Sequence, residues 1–440
     1  MDYLFMDEKG PQETFEISTP FNKEEKLKNG TDRMHSYVAD VIKISEGAYK
    51  EIESKYLLLE AEVRKERTQI NEIKGENILN KTCFEYGVAS LHDDNYRFRF
   101  IKNFFELLVS HIDQIDNLLF EVGKMSIVVD SRLNEWIFSA SETKGEVTFL
   151  LKYTLTKYME NEAPEVVIKN LLDKKVPLKE LLLSIKDDMT KIICDNKGNQ
   201  RMAGQIRTYQ EIVELIDATI GGEIKLIEPD VEAKFNWEKV AWALDLMLLE
   251  IDKKEYENKE RVFYLDEGIP SEVFQKFNFK EIKDEQKSNQ VVGIRIVDML
   301  VFIAGKYISG LFLDSKHDHV DLQKKHLLST KWFEITSKHF DLIKLMKRVY
   351  FPSGRTYSIN IDTYFDDIML FITFVKYISS YQSYLKYNIL NPKEHTEKFM
   401  QELITNGQNK FKQSIEADYL SKDCFGSVKE TISRGVRKPL

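Results

Sequence analysis

Cysteine is nearly missing from this chain: Cys83, Cys194 and Cys424 are the three in 440 residues, far apart and with no CxxC pair. An odd number at such spacing excludes a disulfide framework and a zinc ribbon, and suits free, mostly buried thiols in a reducing cytoplasm. Proline (9) and glycine (19) are also scarce, which argues against long disordered linkers and for helices packed end to end. The N-terminus lacks the basic and apolar regions of a secretory signal. No P-loop and no glycine-rich dinucleotide fingerprint occurs, so nucleotide-driven work is not expected. Nor is there a Ser-His-Asp or Cys-His arrangement in a useful context, and no repeat of fixed period.

What is present is an ordinary soluble composition, 42% hydrophobic and 31% charged, in a chain long enough for a main domain with helical additions. The net charge of -9 is unevenly spread. Residues 311–440 carry about 20 Lys and Arg against about 15 Asp and Glu, so this third is net basic beside an acidic remainder. The longest apolar run, Val291 to Leu313, contains Arg295, Asp298 and Lys306. Each charge in mid-membrane costs roughly 2.5–3.5 kcal/mol, so the run reads as a buried helix and no membrane partner is expected.

Three stretches share one form, an apolar run that ends in an acid. They are Tyr3-Leu4-Phe5-Met6-Asp7-Glu8-Lys9-Gly10, Lys124 to Asp130, and Arg261 to Gly268 with Asp266-Glu267 at its end. A strand buried on both faces carries its terminal carboxylate to the lip of a sheet, and Gly10 lets the backbone turn there. Thr14–Ser18 and Ser36–Ile44 read as two further strands, and Phe279–Ile282 as a short one. Helices are expected over Ala48–Glu66, Tyr96–Leu119, most of Ser131–Tyr256, the run carrying Asp298, and the chain beyond Leu311.

This succession is the order of an RNase H-like mixed sheet, and the motifs resemble an uncharacterised bacterial RNase H-like family. That family opens with a strand and D-E-S-G, carries E-x-K in the middle and ends on a Q-x-A-D helix. Here those features read Asp7-Glu8-Lys9-Gly10, Glu72-Ile73-Lys74 and Arg295-Ile296-Val297-Asp298. Lys9 replaces the usual serine and Arg295 the usual glutamine. The expected fold is thus α/β, with three antiparallel and then two parallel strands, a helical insertion and an all-helical C-terminal domain. Residues 1–130 and 257–310 would form the core, 131–256 the insertion, and 311–440 the basic helical domain.

The resemblance implies a nuclease that hydrolyses phosphodiesters with two Mg2+ or Mn2+ ions, with a role in phage defence. Such ions take carboxylate oxygens, supplied by Asp7, Glu72, Asp130 and Asp298. Glu8, Lys74, Glu76, Asp266 and Glu267 stand as support or alternatives; Asp130 and Asp266 compete for one role. Each has a plainer reading: Asp7 and Asp266 as turn residues, Glu72 as solvated, Asp298 as the partner of Arg295 or Lys306. Lys324, Lys325, Lys331, Lys347, Arg348 and Arg355, interleaved with Trp332, Phe333, Tyr350 and Tyr357, suit a nucleic-acid face. The same aromatics on helices also suit a core. His317-Asp318-His319, with His326 and His339, lacks the second spaced pair of a zinc site. Nucleic acid is the expected partner, whether RNA, DNA or hybrid, and the long apolar helices leave a homodimer open. The rival functions are a non-catalytic binding module on the same scaffold, and a helical oligomerisation scaffold.

Overall fold

The computed structural model describes residues 1–10, 36–66, 73–79, 84–144, 148–229, 234–255, 260–315, 327–352, 357–361 and 364–419. The suggested strand Thr14–Ser18 lies outside them. One mixed sheet organises the chain. Strand β1 (Asp2–Lys9) pairs antiparallel with β2 (Ser36–Ser45), and β2 antiparallel with β3 (Ile115–Gly123). On its other side β1 pairs parallel with β4 (Arg261–Asp266), which pairs parallel with β5 (Glu281–Gln286). Three antiparallel and two parallel strands are present, but they are not all the ones expected: Ile115–Gly123 is the third antiparallel strand, and Lys124–Asp130 is not a strand. A sixth, β6 (Tyr357–Ile361), joins β3 in parallel, giving the order β5-β4-β1-β2-β3-β6.

Two expectations shift at the third strand. The helix predicted over Tyr96–Leu119 stops at Ser110, and after a tight turn at Ile112–Gln114 the chain becomes β3. Asp116 and Asn117 are weak helix formers, and in the sheet Asp116 finds a buried partner in Lys43 at 2.9 Å. The predicted strand Lys124–Asp130 is instead the first part of a helix, Lys124–Lys144. Its Ile127-Val128-Val129 run is buried throughout, and a short apolar run of that kind does not reveal its own period.

Helices α1 (Glu46–Glu66) and α2 (Tyr96–Ser110) precede β3; α3 (Lys124–Lys144) follows it. Then come α4 (Thr148–Asn161), α5 (Glu165–Leu172), α6 (Leu178–Asp195) and α7 (Ala203–Ile220). Leu133, Trp136, Leu155, Leu181 and Ile212 pack there as a separate core, the body of the expected insertion. The next helix, α8 (Trp237–Glu255), belongs elsewhere. Its Val240, Leu244, Met247 and Ile251 cover one face of the sheet, against Leu4, Met6, Val41 and Phe263.

The opposite face is covered by α9 (Val292–Ser315), which crosses β1 and β2. Length and composition would let α9 span a membrane, but 83% of its most apolar window is buried inside the protein. Ile294, Ile296, Val297, Leu300 and Ile303 are completely buried; each such side chain contributes about 1.5–3 kcal/mol, which fixes the helix on the sheet. This core continues into α10 (Ser337–Tyr350), α11 (Asp366–Ser380) and α12 (Pro392–Tyr419). The C-terminal third is therefore neither all-helical nor a separate body: it contributes β6 and shares one core with the sheet. An unpaired outer edge of β3 would invite pairing with another chain, and β6 covers it.

Candidate active site

Antiparallel pairing sets which side chains share a face. Asp7 stands opposite Asp40 and Lys9 opposite Val38, on the α9 side of the sheet. The parallel register, Met6 beside Leu265, brings Asp266 level with Asp7 at the end of β4. From above, α9 contributes Asp298. Three carboxylates from three elements thus meet at the C-terminal end of β1 and β4.

Each is held by identifiable groups. Asp7 is 2% exposed and accepts the Glu8 N–H on Oδ1 at 2.6 Å. Asp298 is equally hidden; its Oδ2 accepts the Gly75 N–H at 2.7 Å, and its Oδ1 lies 3.1 Å from the Lys9 ammonium. Burial pushes the Asp7 carboxyl well above the usual range; Lys9 opposes this, and Asp298 and Asp266 add to it. The Asp266 carboxyl is also raised by burial, and a hydrogen bond from Asp7 partly offsets this. Burial works to lower the Lys9 pKa, but Asp7 and Asp298 hold its ammonium above the ordinary lysine range. The site is acidic beyond what its lysine neutralises: Asp7 and Asp266 are joined by a hydrogen bond, and both carboxyls are raised.

The backbone around the site is built for close approach. Gly10 has φ +140°, a turn conformation that side chains resist, and a Cβ there would lie 2.6 Å from the Tyr37 Cα. Gly75 packs against α9 so tightly that a Cβ would lie 2.6 Å from the Phe302 Cβ. Only glycine lets this backbone N–H reach Asp298.

Of the residues singled out from sequence, Asp7 and Asp298 meet, and Asp266, the alternative, takes the place expected of Asp130. Asp130 is on α3, where Lys152 and Lys239 both grip it. With its segment helical, it never reaches the lip of the sheet. Glu72 lies outside the described residues; Lys74 and Gly75 are two and three residues after it, and Glu76 is exposed. Glu8 alternates to the opposite face, where its charge bears on buried Tyr37. Glu267 is exposed, 3.9 Å from Lys287. Arg295 does not touch Asp298: it pairs with Glu60 at 2.7 Å and donates to the Ser288 carbonyl at 2.6 Å. Lys306 lies over the Phe302 ring.

Sequence reasoning missed two residues. Lys9, which stands in place of the usual serine, is the cation among the acids. Asp40 is fully buried beside Asp7, with Oδ2 3.5 Å from the Asn117 amide, and burial pushes its carboxyl well up. Its only signal was an acid in mid-strand.

The proposed nucleic-acid face is only partly described. Lys324, Lys325 and Arg355 lie outside the described residues, as do His317, Asp318, His319 and His326. Lys331 and Arg348 are exposed and Lys347 half-buried, but Trp332, Phe333 and Tyr350 are core. Those aromatics offer no stacking surface. His339 is buried too, closing the capping box of α10 with Thr336.

Oxygen-only donors of this kind suit a hard divalent cation, and the Lys9 ammonium already stands where positive charge is needed. Among the described residues, no group of three or more His, Cys, Asp or Glu side chains is arranged to hold an ion. No family model, no curated protein and no solved structure matches the chain.

Proposed function

We propose that the chain is a metal-dependent nuclease with an RNase H-like catalytic core, and that Asp7, Asp266 and Asp298 are its catalytic carboxylates. One observation carries this reading: three acids distant in sequence converge at the C-terminal end of β1 and β4 and are under-neutralised there. The mixed sheet supports it: within the order β5-β4-β1-β2-β3-β6, three neighbouring strands are antiparallel and β4 and β5 add in parallel, the kind of sheet that the resemblance implies. Glu72, three residues before Gly75, is the fourth candidate ligand.

Mg2+ or Mn2+ would supply an activated water and charge neutralisation at the scissile phosphate. Asp7 and Asp266, whose carboxyls are both raised by burial, would have to be ionised to bind the ion. Asp298 keeps its orientation through the Gly75 N–H, which leaves Oδ1 for the ion or for Lys9. Lys331, Lys347 and Arg348 would meet the nucleic-acid backbone, and a role in phage defence rests on the resemblance alone.

The test is incubation of the purified protein with RNA, DNA and RNA–DNA hybrid in Mg2+ or Mn2+. Cleavage should be lost in Asp7→Asn and Asp298→Asn while both remain folded; cleavage equal to wild type in both would defeat the enzymatic reading. Lys9 among the carboxylates favours one alternative, a module that grips nucleic acid or protein without cutting. Binding without cleavage in the same assay would be its mark.

A further inference from the structure

We infer that the cleft between the helical insertion and the C-terminal helices is a binding site for a small organic cation with an apolar body. The cleft has a volume of about 1110 Å3 and is formed by α4, the end of α9, α11 and α12; none of its lining residues belongs to the acid cluster. Its walls are mostly apolar, with Phe312, Met369, Leu370, Met400, Leu403 and Phe411. Methionine adapts to the shape of what it meets, and a cavity of this lining and order of size suits a small molecule.

One polar group in the cleft has no protein partner. Tyr364 lines it and is only 5% exposed, yet among the described residues nothing is hydrogen-bonded to its hydroxyl. Its neighbour Tyr153, by contrast, donates to Asp366 Oδ1 at 2.7 Å. A buried hydroxyl left unbonded is unfavourable, and a ligand that bonds it removes that cost. The surroundings set the sign of the ligand's charge. The charges that bear most on the Tyr364 hydroxyl are Asp366, Asp367 and Glu160, all negative. Lys157 stands nearby but is committed to Asp366 Oδ2 at 2.9 Å, and Lys412 is exposed at the rim. The Tyr153 and Tyr364 rings lie 5.7 Å apart, and aromatic faces attract a cation, as carboxylates do. Gly407 leaves room for the apolar body. It sits in the middle of α12, where glycine is a poor helix former, and a Cβ there would meet nothing within 4 Å. Packing does not require this glycine; open space in the cleft does.

The experiment is calorimetric titration of the full-length protein with octylammonium, octanol and octanoate, probes of one chain length that differ in the charge of the head. Octylammonium should bind one per chain and about tenfold more tightly than octanoate, with octanol between them. Gly407→Leu, which favours the helix and puts a side chain into the cleft, should abolish that binding. Tyr364→Phe keeps the ring and should weaken octylammonium by about threefold or more. Without ligand it should unfold in urea at no lower concentration than wild type, because the hydroxyl it removes has no partner. Octanol or octanoate binding as tightly as octylammonium overturns the inference, as does no binding of octylammonium or undiminished binding by Gly407→Leu. So does a Tyr364→Phe variant that binds as tightly as wild type, or one that unfolds more readily without ligand. The nuclease reading depends on none of these outcomes.

Discussion

Asp7 and Asp130 end stretches that look alike in sequence, yet their surroundings are electrostatic opposites. Around Asp130 one carboxylate is held by two lysines, Lys152 and Lys239. Around Asp7 three carboxylates share one lysine. A third setting lies between them, on the same helix as Asp298. There Arg295 and Glu60 balance each other, with Arg64 adding a second contact to Glu60 at 3.2 Å. A balanced or cation-rich setting is what a structural ion pair needs. A surplus of buried acid is unfavourable to folding and persists where something else is to be bound.

Substituting the two acids is the strongest way to break this comparison. Asp7→Asn should cut hydrolysis by roughly a hundredfold or more, above the 10–100-fold that loss of a ligand's supporting partner brings. In the metal-free protein it should also stabilise the fold by about 1 kcal/mol, because it removes a carboxyl whose charge the interior resists. Asp130→Asn should leave hydrolysis unchanged and lower stability by up to about 1 kcal/mol. Rate assays and urea unfolding of both variants read this out; parallel behaviour in the two would erase the contrast.

The balanced pair offers the next largest effect. Glu60 is fully buried and Arg295 nearly so, so Glu60→Ala leaves a buried guanidinium without its partner. A loss of about 3–5 kcal/mol is expected in chemical denaturation. A loss under 1 kcal/mol would show the pair to be dispensable.

Gly75→Ala probes the link between helix packing and the acid cluster. Its Cβ would meet Phe302, at a cost of about 1–3 kcal/mol, and would draw the backbone N–H away from Asp298. Mn2+ affinity should fall together with stability; a fall in stability alone would mean that the N–H does not position Asp298.

The smallest effect concerns a buried base far from the acids. His395 stacks on Tyr387 and bonds to the Tyr377 hydroxyl at 2.8 Å, and burial lowers its proton affinity. Its folded-state pKa is therefore below the unfolded value of about 6.5, and the folded protein binds the proton less readily. Its contribution is complete above that pH and declines as pH falls through it. His395→Phe should flatten stability between about pH 7 and pH 5; an unchanged slope would assign the dependence to His339, which burial also depresses.

Much of this was legible in the chain. Strand-then-acid patterns marked Asp7 and Asp266, and an unaccountable charge inside an apolar helix marked Asp298. Asp130 misled because a fully buried Ile-Val-Val run has the same appearance in a helix and in a strand. The true third strand was hidden because Asp116, Asn117 and Glu121 break its apolar text, and only the sheet supplies the partners of Asp116 and Asn117. β6 was invisible for the same reason: what makes it a strand is the free edge of β3.

The sequence alone determined what is local: where apolar text alternates or repeats, where glycine allows a turn, and which acids lie at the ends of buried runs. Tertiary structure decided what depends on distance. It made Asp266 rather than Asp130 the neighbour of Asp7, turned Arg295 away to Glu60, and set Lys9 among three carboxylates. Charge interactions weaken with separation and strengthen with burial, and neither quantity exists until the chain has folded.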